Sequence, residues 1–476
     1  MVAAFVTLFY CLFLFQGYQK LFRDSDAGWH IRNGEEILRT ATLPHTDPYS
    51  FTRRGQPWFA WEWGADVVAG LVHRSWGLGG VALFYGAAIA AGVWLWFRLH
   101  WAVGGNFPIA CGMAPLLLST CNIHWLARPH VLSWLFFLAA VLYCETRRGP
   151  LTWREGVGVA VFSAVWANVH ASFFFGAVIA AIYAVGRSQE SGVRSQEPAR
   201  RAAAAAAVIG ILAGLVNPYG WHLYEHVWRY LTDSELLAHI GEYQSFNFHA
   251  DGSGQIIAAL ILGIAGGALA AVQGRWDRAL LALLFSALAL RSARVLPLAA
   301  LLLLPLANAA ITKAAGARFD KFLAYSARLR ILDSRQRGWA LVPLVLLGCF
   351  AILQTPGIRA ATGFAADQFP VAAYGHIPAD ARLFAPDKFG GYLIYRSAGR
   401  FPVFFDGRSD LYGADFLKQY SRVMQVKPGW HAWWEQFHFT HALVPADSPL
   451  IEALERSGWR RIYGDRTAVL LAKSGT

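Results

Sequence analysis

The chain has 476 residues, 56% of them apolar and only 15% charged, with a formal net charge of +12. Its apolar residues come in blocks near the roughly 20 needed to cross a bilayer, which sets aside an ordinary soluble enzyme or a disordered chain. The basic excess would suit nucleic acid, but it sits in short loops between apolar runs, with no basic, aromatic-interleaved groove, so no nucleic-acid partner is expected.

Residues 2–21 lack a positively charged start and a small-residue cleavage site, so they read as a first membrane helix rather than a cleavable signal. Further long apolar runs occupy 77–99, 256–272, 295–311 and 340–353. Shorter ones occupy 107–121, 131–144, 157–167, 172–185, 202–216 and 279–290. Backbone groups have to be satisfied inside lipid, so these runs are expected to be helices. The expectation is an α-helical multi-span membrane protein with about eleven transmembrane helices. It comprises a membrane domain, 1–355, whose large first outer loop is 22–76, and a soluble domain, 362–476.

With the N-terminus in the cytoplasm, the loops carrying Arg98, Arg147, Arg187–Arg201, Arg275 and residues 313–337 all fall inside, as the positive-inside rule requires. These arginines would also meet anionic lipid. The threading depends on reading 157–167 and 172–185 as two short helices meeting at Asn168–His170. One long span there would invert everything downstream. Residues 187–197 repeat themselves and read as a flexible cytoplasmic linker. All five cysteines lie in or beside apolar runs, which argues against disulfides and a zinc site.

From about residue 362 shorter apolar blocks alternate with turns. Strands are expected at 382–385, 402–405, 442–444 and 467–472, and helices at 414–426 and 449–457. This predicts a small α/β soluble domain on the outer side, of about 110 residues.

The unusual polar groups all fall on that outer side. Asp24 and Asp26, at i and i+2, either share a hard divalent cation such as Mg2+ or Mn2+, or one of them deprotonates an acceptor hydroxyl. The plainer alternative is an acidic cap on a helix starting near His30. Glu62 and Asp66 are i, i+4 neighbours on one face, among tryptophans that suit the headgroup region. Arg128, His130, Arg291 and Arg294 flank apolar runs, where they either hold a carrier-lipid phosphate or snorkel to the interface. Asn168 and His170 make either helix–helix hydrogen bonds or a sugar contact. Asn217-Pro218-Tyr219-Gly220 is a turn signal. In the tail, Asp406, Arg408 and Asp410 either bind acceptor or form a structural turn with an ion pair. No nucleotide-binding fingerprint accompanies them.

The pattern Asp24-x-Asp26-x-x-Trp29-His30-x-Arg32 after the first membrane helix resembles the first outer loop of the GT-C glycosyltransferase superfamily, within which oligosaccharyltransferase catalytic subunits carry a similar stretch. The resemblance implies a multi-span enzyme with a soluble C-terminal domain on the same side as that loop. It also implies inverting transfer of a sugar from a polyprenyl-phosphate-linked donor. It puts Asp26, and secondarily Asp24, at the catalytic carboxylate position. Oligosaccharyltransferases carry a second acidic pair in the next outer loop, but here that loop, 122–130, has no Asp or Glu. Protein N-glycosylation is therefore not expected. A metal at Asp24 and Asp26 would need His30, Glu62, Asp66 or His130 to complete it, or the enzyme works without metal. Trp433-Trp434-Glu435 reads as amphipathic helix packing.

The expectation is a cell-envelope glycosyltransferase in a bacterial cytoplasmic membrane, its donor phosphate held by Arg128, His130, Arg291 or Arg294. Substrate contacts are assigned to His30, Glu62, Asp66, Asn168, His170, Asp406 and Arg408. Membrane lipid and a glycan, lipid or protein acceptor are the other partners. The rivals are a lipid-linked polysaccharide polymerase or ligase, and a transporter or flippase, against which no clear inverted repeat is found.

Overall fold

A computed structural model describes residues 1–186, 197–335 and 338–474. Every apolar run named above is helical. Five helices are long and apolar enough to cross a membrane: Val2–Lys20, Trp63–Ala102, Pro129–Thr146, Ser253–Val272 and Ala293–Ala315. A sixth is added if the bent pair Asp320–Asp333 and Gly338–Leu353 is one span. The expected count of about eleven is therefore not reached by length, since helices such as Phe107–Asn122 and Ala171–Gly186 are shorter than a full span. The chain is a helical membrane protein.

Two helix boundaries stand out. The helices Trp153–Ala167 and Phe174–Gly186 are separate, broken at Asn168–His170 as expected. A capping box, Thr152 with Glu155, starts the first of them. The 40-residue helix Trp63–Ala102 would be about 60 Å long, twice the bilayer core, if it were straight. It breaks at Gly77, whose φ of 64° suits glycine. The break divides it into a segment before Gly77 and a longer apolar segment after it. Most of the repeated linker lies outside the described residues. At the opposite end of the bundle, Glu145 receives a bidentate pair from Arg278 (2.8 and 2.9 Å) and also meets Arg275 and the Tyr183 hydroxyl.

The C-terminal region carries a four-stranded mixed sheet: β1 Leu383–Phe384, β2 His441–Pro445, β3 Trp459–Gly464 and β4 Ala468–Lys473, in the order β1-β2-β4-β3. Only β1 and β2 run parallel. The helices Ala414–Met424 and Leu450–Arg456 stand where expected. The expected strand at 402–405 is corrected. Val403 makes only an isolated bridge to Ser50, its amide donating to the Tyr49 carbonyl while it accepts from Phe51. Its hydrogen-bonding edge is taken by the first outer loop instead of a tail strand. The sequence reading missed β3 and the helix Asp387–Arg396; β3 is an exposed edge with Arg460 and Arg461, so it lacks an apolar alternation.

The outer loop and the tail share a core. Trp29, Tyr49, Trp58 and Ala60 pack with Phe369, Phe389, Leu443 and Leu470. Helix Asp26–Thr40 lies backbone-close on helix Asp387–Arg396. A Cβ on Gly28 would meet the Gly391 carbonyl at 2.4 Å, and one on Gly391 would meet the Ser25 carbonyl at 2.5 Å. This contact holds the tail over the N-terminus of the helix that begins with Asp26.

Candidate active site

Asp26 opens helix Asp26–Thr40, and its amide donates to Asp24 Oδ1 at 2.9 Å. The carboxylates converge on Arg128, which lies 2.6 Å from Asp24, 2.9 Å from Asp26 and 3.0 Å from Glu242. Glu242 in turn pairs with Arg294 at 3.0 Å. Arg128 precedes Pro129, which starts the next helix and keeps Arg128 extended (φ −135°, ψ 155°). Burial pushes the Asp26 carboxyl up to about 8, although Arg128 pulls the other way. Burial would raise Glu242 too, but Arg128 and Arg294 outweigh it and hold this acid below the ordinary carboxylate range. The sequence reading missed Glu242; the only signal was an acid in the long outer loop between 217 and 255.

Two cavities meet at this cluster. One, of about 400 Å³, is walled by Trp29, Trp58, Trp61, Trp134, Phe174, Phe175, Leu288 and Leu298. The other, of about 890 Å³, is more polar, with Arg23, Ser25, His239, Asp387, Lys388 and Tyr420 in its wall. Asp26, Arg128, Glu242, Arg294 and Gly407 line both. Gly407 comes from the tail and touches Asp26 so closely that a Cβ there would lie 1.9 Å from Oδ1.

A second polar chain flanks the apolar cavity. Asp66 lies 2.6 Å from His30 Nδ1 and accepts from Asn33 Nδ2 at 2.6 Å. His30 Nε2 and His170 Nε2 face Glu62 at 3.6 and 3.3 Å. Burial pulls His30 down to about 3, so its ring is neutral, and burial raises Glu62. Glu62 and His170 line the cavity, whereas His30 and Asp66 stand behind them. The Ser172 amide donates to His170 Nδ1, so a neutral His170 carries its proton on Nε2, facing Glu62.

The remaining expected residues divide. His130 donates from Nε2 to the His124 carbonyl at 2.8 Å and lines the apolar cavity. Arg291 lines it too, and among the described residues no carboxylate pairs with it. Asn168 accepts from Trp63 Nε1 and donates to the carbonyls of Ala164 and Val216, joining helix ends outside the cavity walls. Asp406 and Arg408 form a buried ion pair that also takes in Asp47 at 2.8 Å, with Arg408 4.7 Å over the Trp58 ring. That pair staples tail to outer loop. Asp410 lines the apolar cavity and pairs with His226 at 3.2 Å. Trp434 is buried in the tail core, as amphipathic packing requires.

Asp24 and Asp26 do not present an open coordination site. The Arg128 guanidinium lies against both and against Glu242. Among the described residues no group of three or more His, Cys, Asp or Glu is placed to hold a metal ion. This arrangement does not fit a divalent cation.

No family model and no curated protein matches the chain. Solved structures do. It superposes on an archaeal oligosaccharyltransferase, AglB from Archaeoglobus fulgidus, in complex with an inhibitory peptide and a dolichol-phosphate, with a TM-score of 0.54, 11% identity, and 100% of this chain and 74% of that chain covered. The Archaeoglobus fulgidus oligosaccharyltransferase tethered to an acceptor peptide gives the same score and identity over 93% of this chain and 68% of that one. The apo form does so over 93% and 69%. At this identity the likeness is one of fold: the chain distantly resembles the oligosaccharyltransferases of the GT-C superfamily along its whole length.

Proposed function

We propose that this chain is a membrane glycosyltransferase that moves a sugar from a polyprenyl-phosphate donor to an acceptor at the outer face of the membrane. The observation that carries the reading is the meeting of an apolar, aromatic cavity and a polar one at Asp26. A lipid-borne donor suits the first and a water-borne acceptor the second. The fold likeness supports the class, and one of those neighbours was solved with a dolichol-phosphate. The basic loops support a cytoplasmic N-terminus and an outer active site.

In the proposed reaction an acceptor hydroxyl enters from the polar cavity and hydrogen-bonds Asp26. Its oxygen attacks the anomeric carbon from the side opposite the phosphate. The C–O bond to phosphate breaks, the phosphate leaves with the electron pair, and Asp26 takes the hydroxyl proton. The anomeric centre inverts. Arg291, which has no carboxylate partner among the described residues, and Arg294 receive the phosphate at headgroup depth. Glu62 and His170 hold sugar hydroxyls against the tryptophan walls. Placement and charge stabilisation supply most of the rate.

The test is sugar transfer in liposomes with a panel of radiolabelled polyprenyl-phosphate sugars. Turnover that Asp26→Asn lowers by about 10²–10⁴-fold at normal expression supports the reading. Full activity in Asp26→Asn, or transport without transfer, sinks it.

A further inference from the structure

Arg128 is an expensive residue where it stands. It is largely withdrawn from solvent at the start of a helix, where the helix dipole disfavours positive charge. Three carboxylates from two loops compensate it: Asp24 and Asp26 from the loop after the first helix, Glu242 from the loop between 217 and 255. Pro129 fixes its backbone, so the side chain is aimed rather than free. Its two terminal nitrogens serve the acids, and its buried Nε has no hydrogen-bond partner among the described residues. A guanidinium cannot shed its proton, and its planar fork suits several oxygens at once.

Three carboxylates meet one guanidinium, Asp24 and Glu242 at Nη1 and Asp26 at Nη2, and hard oxygen ligands of this kind elsewhere attract a divalent ion. Here the place between them is already positive. We infer that Arg128 is the resident cation of this site, taking the place between Asp24, Asp26 and Glu242 that a divalent ion would need, so that the chain works without metal. The inference rests on Asp26 being the reacting carboxylate. Arg128 does two things a metal would do: it draws the outer loop bearing Glu242 onto Asp26, and it lays fixed positive charge along the path from attacking oxygen to departing phosphate. Unlike a metal it is covalently held, so chelators and ion supply do not control it.

The experiment is Mn2+ titration of the full chain in nanodiscs, followed by electron paramagnetic resonance, which reads ion binding whether or not a sugar is transferred. Wild type is expected to show no bound Mn2+ that depends on Asp26. Arg128→Gln removes the charge and leaves the acids, and is expected to bind Mn2+ at least tenfold more tightly than wild type. The gain should vanish again in Arg128→Gln/Asp26→Asn, and Arg128→Lys should show none. Stoichiometric Mn2+ on wild type that disappears in Asp26→Asn overturns the inference, as does a folded Arg128→Gln with no gain. If Arg128→Gln does not fold, the wild-type titration decides alone. A failure of sugar transfer would leave this binding result readable.

Discussion

Gly407→Ala is a sharp test because it adds one methyl group, far from Asp26 in sequence. The new Cβ would lie 1.9 Å from Asp26 Oδ1 and 2.7 Å from Cγ. Ordinary contact begins near 3.4 Å, so about 1.5 Å of separation has to appear between the Gly407 backbone and the buried Asp26 carboxylate. The loop cannot give easily, because Arg408 beside it is held by Asp406 and Asp47. Asp26 moves instead and breaks its 2.9 Å contact with Arg128. A misplacement of about 1 Å costs on the order of 10²-fold in rate, and overpacking costs about 1–3 kcal/mol of stability. The assay compares initial transfer rates in liposomes with thermal unfolding of the same preparations. Gly375→Ala, which meets nothing within 4 Å, is the control in the same region. A folded Gly407→Ala enzyme with the wild-type rate would refute the claim that the tail sets the position of Asp26.

Other expectations follow from the same geometry. Because Asp26 must be deprotonated to act and burial pushes it up to about 8, kcat should rise with pH through that value and level off above it; a flat profile from pH 6 to 9 would exclude Asp26 as the base. Transfer should be unchanged in excess EDTA, and a loss restored by Mg2+ would contradict the Arg128 assignment. Arg291→Ala should raise the KM for donor about tenfold or more with a smaller change in kcat, the pattern of lost ground-state binding. Away from the site, Glu145→Ala leaves Arg278 without its carboxylate and Arg275 with Asp277 alone. It should destabilise the fold by about 3–5 kcal/mol, read as a lowered thermal midpoint; an unchanged midpoint would show that the network contributes nothing.

The sequence alone determined the helices, because apolar runs in lipid have no other way to satisfy their backbones. It also marked the break at Asn168–His170, whereas the cap at Thr152 and the bend at Gly77 came from the structure. Asp26 was legible because two acids beside a membrane exit, followed by Trp-His-x-Arg, form a local pattern. Tertiary structure decided the rest, since the site is assembled from distant segments. Glu242 shows no motif; it matters only because a loop folds back onto Arg128. Arg128 stood open between a phosphate ligand and an interfacial snorkel, and its three acidic partners became visible only in the structure. Residues 402–405 read as a strand by alternation, yet their partner is Tyr49–Phe51 of another loop, so they never join the sheet. Asp406 and Arg408 stood open between binding and structure, and burial against Asp47 and Trp58 made them a staple. Local patterns record what the solvent demands of each segment; which charges neutralise one another depends on contacts across hundreds of residues, which no local window contains.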